Sequence, residues 1–138
     1  MKILLVVDLQ KQFRDRSGKY EKCLQYIESH RDKYDKVIAI LFQQDRSVNG
    51  NYAKLKYTGC MDADISDIEF STDQIIVRHG YGLPLGVFGR DEITVMGCGA
   101  DTGVLAVCFS LWDDGIDFRV LKDYIYAANV PMDVLMKI

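Results

Sequence analysis

Short, wholly apolar runs alternate along the chain with segments whose apolar residues recur at helical spacing. The first run covers residues 2–8, consists of Ile, Leu and Val after its first residue, and ends at Asp8. Such a run is typical of a strand that is buried on both faces of a parallel sheet. Similar runs predict four further strands, at 36–42, 75–77, 92–97 and 118–123.

Two segments show the period of an amphipathic helix. Between residues 18 and 34 the apolar positions form one stripe: Tyr20, Cys23, Leu24, Ile27 and Tyr34. Before the last predicted strand the period returns: Val104, Val107, Cys108, Leu111 and Trp112. Gly115 follows as a helix-ending residue. Strands that alternate with helices favour a three-layer α/β/α sandwich with a mainly parallel sheet of about five strands.

Segment 43–73 departs from this alternation. It contains Asn49-Gly50 and an acidic stretch, and little periodicity beyond one predicted helical turn around 52–57. We interpret it as a long excursion of the kind that often covers a site.

Composition restricts the class of protein. The chain has 138 residues, of which 49% are hydrophobic and 27% charged, so we expect a single domain over 1–138 with a core of its own. The net charge of −3 provides no positive field for a phosphate backbone, and we expect no nucleic-acid partner.

The cysteines and the first apolar run bear on location. The four cysteines show no C-x-x-C pair, which predicts neither a zinc site nor a disulfide framework and suggests reduced thiols in a cytoplasm. Asp8 interrupts the N-terminal run too early for a signal peptide or a membrane span.

Polar residues follow several predicted strands at the point where each strand ends. In parallel α/β sheets the ligand crevice lies beyond these carboxyl ends. The segments there supply the candidate ligand-binding residues: Gln10, Phe13, Gln44, Asp45, His79, Tyr81, Gly99, Ala100, Asp101 and Thr102. No His lies near Gln44 and Asp45, and we expect neither a metal nor a cofactor.

Three phrases carry a family resemblance. VVDLQKQF, IIVRHGYG and ITVMGCGADTGVLAVCFSLWDDGIDFRVLKDY resemble, in the same order, the signature regions of the isochorismatase-like cysteine hydrolases. The resemblance implies a hydrolase of amide or vinyl-ether bonds that uses an Asp, a Lys and a Cys. These three positions fall on Asp8, Arg78 and Gly103.

Two of the three positions depart from the family pattern. Gly103 has no side chain for a covalent step, and Arg78 holds an anion but cannot relay a proton. The leading hypothesis is therefore a shortened, degenerate member that binds a small anionic or amide ligand without cysteine hydrolase turnover. The resemblance also implies backbone N–H groups for an oxyanion in the 97–103 turn, and a cis peptide between Cys98 and Gly99.

Two other hypotheses about the function stay open. A relocated nucleophile, either Cys98 with His79 and Asp8 or an activated water, would give an active hydrolase. An interaction module with a vestigial pocket is a third possibility. The usual final helix and strand of the family are largely missing from the sequence, so we expect a homodimer or higher homo-oligomer that covers apolar surface.

Overall fold

The structure is a computed structural model, and it describes residues 1–45, 47, 63–84 and 86–127. Five strands and two helices lie in these ranges: β1 (Lys2–Val7), α1 (Lys19–His30), β2 (Lys36–Phe42), β3 (Gln74–Arg78), β4 (Glu92–Cys98), α2 (Gly103–Asp113) and β5 (Phe118–Tyr126). Short 3-10 turns occupy Lys11–Phe13, Arg31–Lys33 and Ile65–Asp67. The helical turn predicted around 52–57 lies outside the described residues.

The five strands form one parallel sheet in the order β3-β2-β1-β4-β5. The predicted α/β fold is therefore confirmed. β1 pairs with β2 on one side and β4 on the other, so the strand order reverses there. The crevice beyond the carboxyl ends of β1 and β4 is the position where such sheets bind ligands.

The two helices cover opposite faces of the sheet. Leu4 and Val6 pack with α1, whereas Leu5 and Val7 pack with α2. Because β1 is the central strand and is buried on both faces, its sequence is apolar without alternation. Neither α1 nor α2 is long and apolar enough to cross a membrane.

Two element bounds differ from the prediction by three residues or more. α1 ends at His30 rather than at residue 34, because the φ of −117° at His30 leaves the helical range and a 3-10 turn follows. Tyr34 still reaches the core, where its hydroxyl lies 2.6 Å from that of Tyr26, and so it extended the apolar period. β5 continues to Tyr126 rather than 123, paired beyond a bulge with Gly97 and Cys98 of β4.

Gly97 allows β4 to approach the end of β1. Its φ is +126°, and a Cβ at this position would lie 2.8 Å from the backbone N of Val7 and closer still to the Val7 carbonyl oxygen. Because β1 and β4 both end at the crevice, Gly97 determines how closely the two strands approach each other there.

We expect Gly97→Ala to lower the free energy of unfolding by at least about 2 kcal/mol, because the methyl group meets backbone that cannot move aside and the positive φ is unfavourable for Ala. Urea unfolding followed by circular dichroism measures the loss. Gly89→Ala is the control, since a Cβ there has no atom within 4 Å. Equal stability of the two variants would contradict the close approach of β4 to β1.

Candidate functional site

Asp8 and Arg78 form a buried ion pair at the carboxyl edge of the sheet. Asp8 follows β1 and Arg78 ends β3, two strands away. Nη2 of Arg78 donates to Oδ2 of Asp8 at 2.5 Å. Only 6% of Asp8 and 4% of Arg78 are exposed. Two of the three positions that the resemblance identified are therefore in direct contact.

Backbone geometry places the Asp8 carboxylate on the α2 side of the sheet. Strand alternation after Val7, which faces α2, would direct Asp8 towards α1. Asp8 instead adopts a left-handed conformation with φ of 51°, while its N–H still donates to the Ile40 carbonyl at 3.1 Å. Aspartate is among the residues that tolerate this conformation best. The turn brings the carboxylate to the first residue of α2.

Arg78 crosses the end of β2 to reach Asp8. Adjacent strands lie roughly 4.8 Å apart, so only a long side chain on β3 spans the distance to β1. The guanidinium carbon lies 5.6 Å from the ring centre of Phe42, which pairs with Arg78 in the β2–β3 register. Tyr81 stacks on the same Phe42 ring at 5.3 Å between centroids and is 42% exposed.

Gly103, the first residue of α2, lies against this ion pair. A Cβ built on Gly103 would be 2.8 Å from Nη2 of Arg78 and closer still to Oδ2 of Asp8. The space that a side chain at 103 would occupy therefore contains the ion pair itself. The amino end of α2 adds its positive pole to the same place.

Burial determines the electrostatics of the pair. It raises the pKa of Asp8 to about 6, although the charge of Arg78 and its hydrogen bond act in the opposite direction. Four buried side-chain atoms at this edge have no hydrogen-bond partner: Asp8 Oδ1, Gln44 Oε1, Arg78 Nε and Arg78 Nη1. Buried polar atoms without partners are uncommon in folded proteins and call for an explanation.

Most backbone N–H groups in the turn between β4 and α2 already donate to carbonyl groups of the protein. Gly99 and Ala100 donate to the Tyr126 carbonyl at 2.9 and 3.1 Å, and Thr102 donates to the Gly99 carbonyl at 3.0 Å. The N–H groups of Asp101 and Gly103 have no backbone acceptor within the described ranges. All peptide bonds between described residues are trans, so the cis peptide expected at Cys98–Gly99 is wrong.

Cys98 lies on the other side of the sheet from the ion pair. It packs in the cluster that faces α1, together with Met96 and Tyr126, and is 1% exposed. Burial raises the pKa of its thiol to about 12, although a hydrogen bond with Tyr126 lowers it. The thiol is therefore protonated at neutral pH, and it packs on the α1 side of the sheet although the charge of Asp8 still raises its pKa.

Gln10 and Phe13 have structural contacts. The Gln10 amide accepts from the Phe42 N–H at 2.7 Å and donates to the Phe42 carbonyl at 3.1 Å, so it extends the β2 backbone pairing. Phe13 packs against the α1-side core, and its carbonyl accepts from the Tyr126 hydroxyl at 2.9 Å. Both polar ends of the Gln10 side chain are thus already occupied.

The remaining candidates lie in the segments that follow β2, β3 and β4. Asp45 accepts from Ser47 N at 2.9 Å in a local turn, and Nδ1 of His79 lies 2.9 Å from the Gln43 carbonyl. Asp101 is exposed in the turn before α2. Over the described ranges, no group of three His, Cys, Asp or Glu side chains could hold a metal ion.

Sequence reasoning did not identify the contacts that Phe42 and Ser110 make. The Ser110 hydroxyl accepts from the Leu83 N–H at 3.0 Å and so attaches the loop after β3 to α2. Phe42 appeared only as the last residue of an apolar run. Its contact with Arg78 depends on the β2–β3 register, which no local pattern contains.

Comparison with solved structures finds close similarity of fold. An N-carbamoylsarcosine amidase from Thermoplasma acidophilum matches over 95% of this chain and 87% of its own, with a TM-score of 0.64 and 18% identity. A nicotinamidase from Bacillus subtilis matches over 99% and 91%, with a TM-score of 0.65 and 11% identity. An isochorismatase family protein from Desulfovibrio vulgaris matches over 98% and 86%, with a TM-score of 0.64 and 13% identity. No protein-family model and no curated protein sequence matches the chain.

We expect Gly103→Cys to destabilise the protein by about 1–3 kcal/mol, because the new Cβ displaces a buried ion pair. Arg78→Lys shortens the intruding side chain, so the double variant should be more stable than the sum of the single losses by about 1 kcal/mol. Urea unfolding of all four proteins measures this coupling. Gly89→Cys is the matched control, since nothing lies within 4 Å of a Cβ at Gly89. Strict additivity of the two changes would refute direct contact.

We expect the stability of the wild type relative to Asp8→Asn to fall as pH rises from 4 to 7. The pKa of Asp8 is about 6 in the folded protein, above the ordinary value of 3.8. Its contribution to the free energy of unfolding is therefore complete below pH 3.8 and is lost as the pH rises towards 6. Thermal unfolding of both proteins at a series of pH values measures the difference in stability. The contributions of the other titrating groups are the same in both proteins and cancel. A difference that stays flat or grows with pH is incompatible with a raised pKa.

Proposed function

The chain has an isochorismatase-like α/β fold, and we propose that on this fold it binds a small amide-type ligand without cysteine hydrolase turnover. The observation that carries the proposal is the set of four buried, unpartnered polar atoms on Asp8, Gln44 and Arg78. A ligand that satisfies these atoms explains why they persist in the folded protein.

The hydrogen-bonding character of the atoms indicates the ligand class. Asp8 Oδ1 and Gln44 Oε1 accept hydrogen bonds, whereas Arg78 Nε and Nη1 donate them. A carboxamide or ureido group offers a carbonyl oxygen and N–H donors together. A simple carboxylate offers only acceptors and would leave the Asp8 and Gln44 oxygens without donors. The amide class is therefore favoured over a simple anion.

The names of two structural neighbours point to the same chemistry. One is an N-carbamoylsarcosine amidase and another a nicotinamidase. N-carbamoylsarcosine carries a ureido group and nicotinamide a carboxamide. At identities of 18% and 11% the similarity concerns the fold, so it supports the proposal only together with the polar atoms of this chain.

Loss of cysteine chemistry rests on three positions. Gly103 offers no nucleophile, and the ion pair occupies the space above it. Arg78 stays protonated and so cannot relay protons. Cys98, the thiol considered above as a relocated nucleophile, faces α1 with a pKa of about 12. A thiolate nucleophile is therefore missing from this edge as far as the described ranges extend.

One observation favours a second candidate function, hydrolysis by an activated water. Asp8 has an unpartnered oxygen and a pKa of about 6, which suits a general base near neutral pH. It would take a proton from water as the hydroxide attacks the amide carbonyl, and would return that proton to the leaving amine. Arg78 would stabilise the oxyanion.

Self-association and a cytoplasmic location belong to the same proposal. Cys23, Cys98 and Cys108 are free thiols, which is consistent with a reducing compartment.

We expect benzamide and acetamide to raise the melting temperature more than benzoate and acetate do, because only the amides donate to Asp8 and Gln44. Arg78→Lys and Gln44→Leu should each weaken amide binding about tenfold, since each removes hydrogen bonds within a buried site. Calorimetric titration measures the dissociation constants. Arg90→Gln is the control, because Arg90 lines a separate cleft of about 970 Å³ at the amino edge of the sheet.

The same panel decides between the alternatives. Stabilisation without release of ammonia supports a binding protein. Ammonia release that survives Cys98→Ala but is lost in Asp8→Asn establishes the water mechanism, and release abolished by Cys98→Ala establishes a relocated thiol. No stabilisation by any amide, or equal stabilisation by amides and acids, contradicts the proposed ligand class.

A further inference from the structure

A cleft of about 970 Å³ opens at the amino edge of the sheet, opposite the edge that carries Asp8 and Arg78. The first residues of β1, β4 and β5 line it, together with α1, the 3-10 turn that follows α1, and the residues after α2. We name it the amino-edge cleft. Its lining includes no residue of the carboxyl-edge site, so a ligand here would occupy a second, separate site.

Thr94 places a buried hydroxyl group on the wall of the amino-edge cleft. It interrupts the apolar run of β4, lines the cleft, and is only 8% exposed. In the sheet register it lies between Leu4 of β1 and Arg119 of β5. Residues paired in this way point to the same face, and Leu4 packs on the α1 side. The Thr94 hydroxyl makes no hydrogen bond with any residue that the structure describes. A buried hydroxyl without a partner costs free energy, which a ligand in the cleft would recover.

Two tyrosine hydroxyls supply a further donor. Tyr26 and Tyr34 both line the cleft, and their oxygens lie 2.6 Å apart. This contact uses one of the two hydroxyl protons, so the other proton is left to donate. Burial raises the pKa of Tyr26, so its hydroxyl keeps its proton at neutral pH. The wall of the cleft therefore offers O–H donors from both β4 and α1.

The charges that border the cleft favour an anion. Four exposed cationic side chains line it: Lys2, Lys33, Arg90 and Arg119. None of the four side chains makes an ion pair within the described ranges. Asp91 is already paired with the N-terminal ammonium at 3.4 Å, which leaves only Glu92 and Asp117 as lining carboxylates. Positive charge is thus concentrated here in a chain whose net charge is −3.

We propose that the amino-edge cleft binds a small organic anion that carries two or more carboxylate or phosphate groups. The cations come from β1, the turn after α1, the loop before β4, and β5, so they reach a ligand from several sides. Thr94 and the tyrosine pair donate to oxygens of the same ligand. The volume of the cleft is within the range of small-molecule sites. This inference does not depend on the ligand proposed for the carboxyl edge.

The probes are citrate, which carries three carboxylates, pyrophosphate, and acetate as the single carboxylate. We expect amide NMR spectra of the full chain, titrated at constant ionic strength, to show saturable shifts at Thr94 and Arg119. Citrate or pyrophosphate should bind at least about tenfold more tightly than acetate, because several cations contribute. Since the four cations are exposed, affinity should fall severalfold as ionic strength rises from about 20 to about 200 mM.

Two variants test the individual groups. Thr94→Val removes the hydroxyl and keeps the branched shape, so it should weaken binding about threefold to tenfold. It should not lower the melting temperature, because the hydroxyl has no hydrogen bond to lose. Arg119→Gln should weaken binding at least about fivefold. Arg16→Gln is the matched control, since Arg16 is also an exposed arginine and does not line the cleft.

The outcomes separate the proposal from a general attraction of anions. Binding of citrate alone assigns the site to carboxylates, and binding of pyrophosphate alone assigns it to phosphates. The proposal is wrong if neither probe saturates, or if acetate binds equally well. Equal weakening by Arg119→Gln and Arg16→Gln, or an affinity that Thr94→Val leaves unchanged, also contradicts it. Shifts that cluster at Asp8 and Gly103 instead place the anion at the carboxyl edge.

Discussion

The buried contact between Asp8 and Arg78 is the constraint on which the carboxyl edge of this protein depends. Taking two charges out of water costs several kcal/mol each, and their attraction offsets that cost only where the geometry is close. The left-handed turn at Asp8, the Phe42 ring under the guanidinium and the positive pole of α2 together make the contact close. A pair that served stability alone would also satisfy Asp8 Oδ1 and the remaining guanidinium N–H groups, and these have no partner. The ligand that we propose would supply the missing partners.

Gly103 and Arg78 are related through the volume that they share. The guanidinium and the Asp8 carboxylate lie where a side chain at 103 would begin, so the ion pair in this position requires that α2 begin with a residue that has no side chain. The space beside Gly103 is therefore filled by the ion pair rather than left empty. The residues of α2 have three different environments. Its amino end faces the ion pair, Val107 and Leu111 cover the sheet, and Leu105, Phe109 and Trp112 are exposed.

Local patterns predicted the elements because each strand here is apolar for a simple reason. A parallel strand buried on both faces needs no alternation, and β1, β2 and β4 all show such runs. The predicted ends of α1 and β5 are wrong because tertiary contacts, rather than the local spacing of apolar residues, determine where these elements end. Tyr34 keeps the apolar spacing of α1 although it lies beyond the helix, and β5 gains its last residues from pairing with Gly97 and Cys98. The cis peptide expected after β4 came from the resemblance alone and is wrong here.

By itself, the sequence determined the α/β class, the positions of the strands and the convergence of Asp8, Arg78 and Gly103 on one edge, because parallel strands all end at the same side of a sheet. Only the tertiary structure decided which face each side chain takes. A left-handed residue at Asp8 reverses strand alternation, and ordinary alternation in β4 sends Cys98 to the α1 side. The strand order decided that Arg78 must cross Phe42, and it left Gln10 bound to backbone instead of open to a ligand. These outcomes depend on contacts between residues far apart in the chain, and a local pattern cannot encode such contacts.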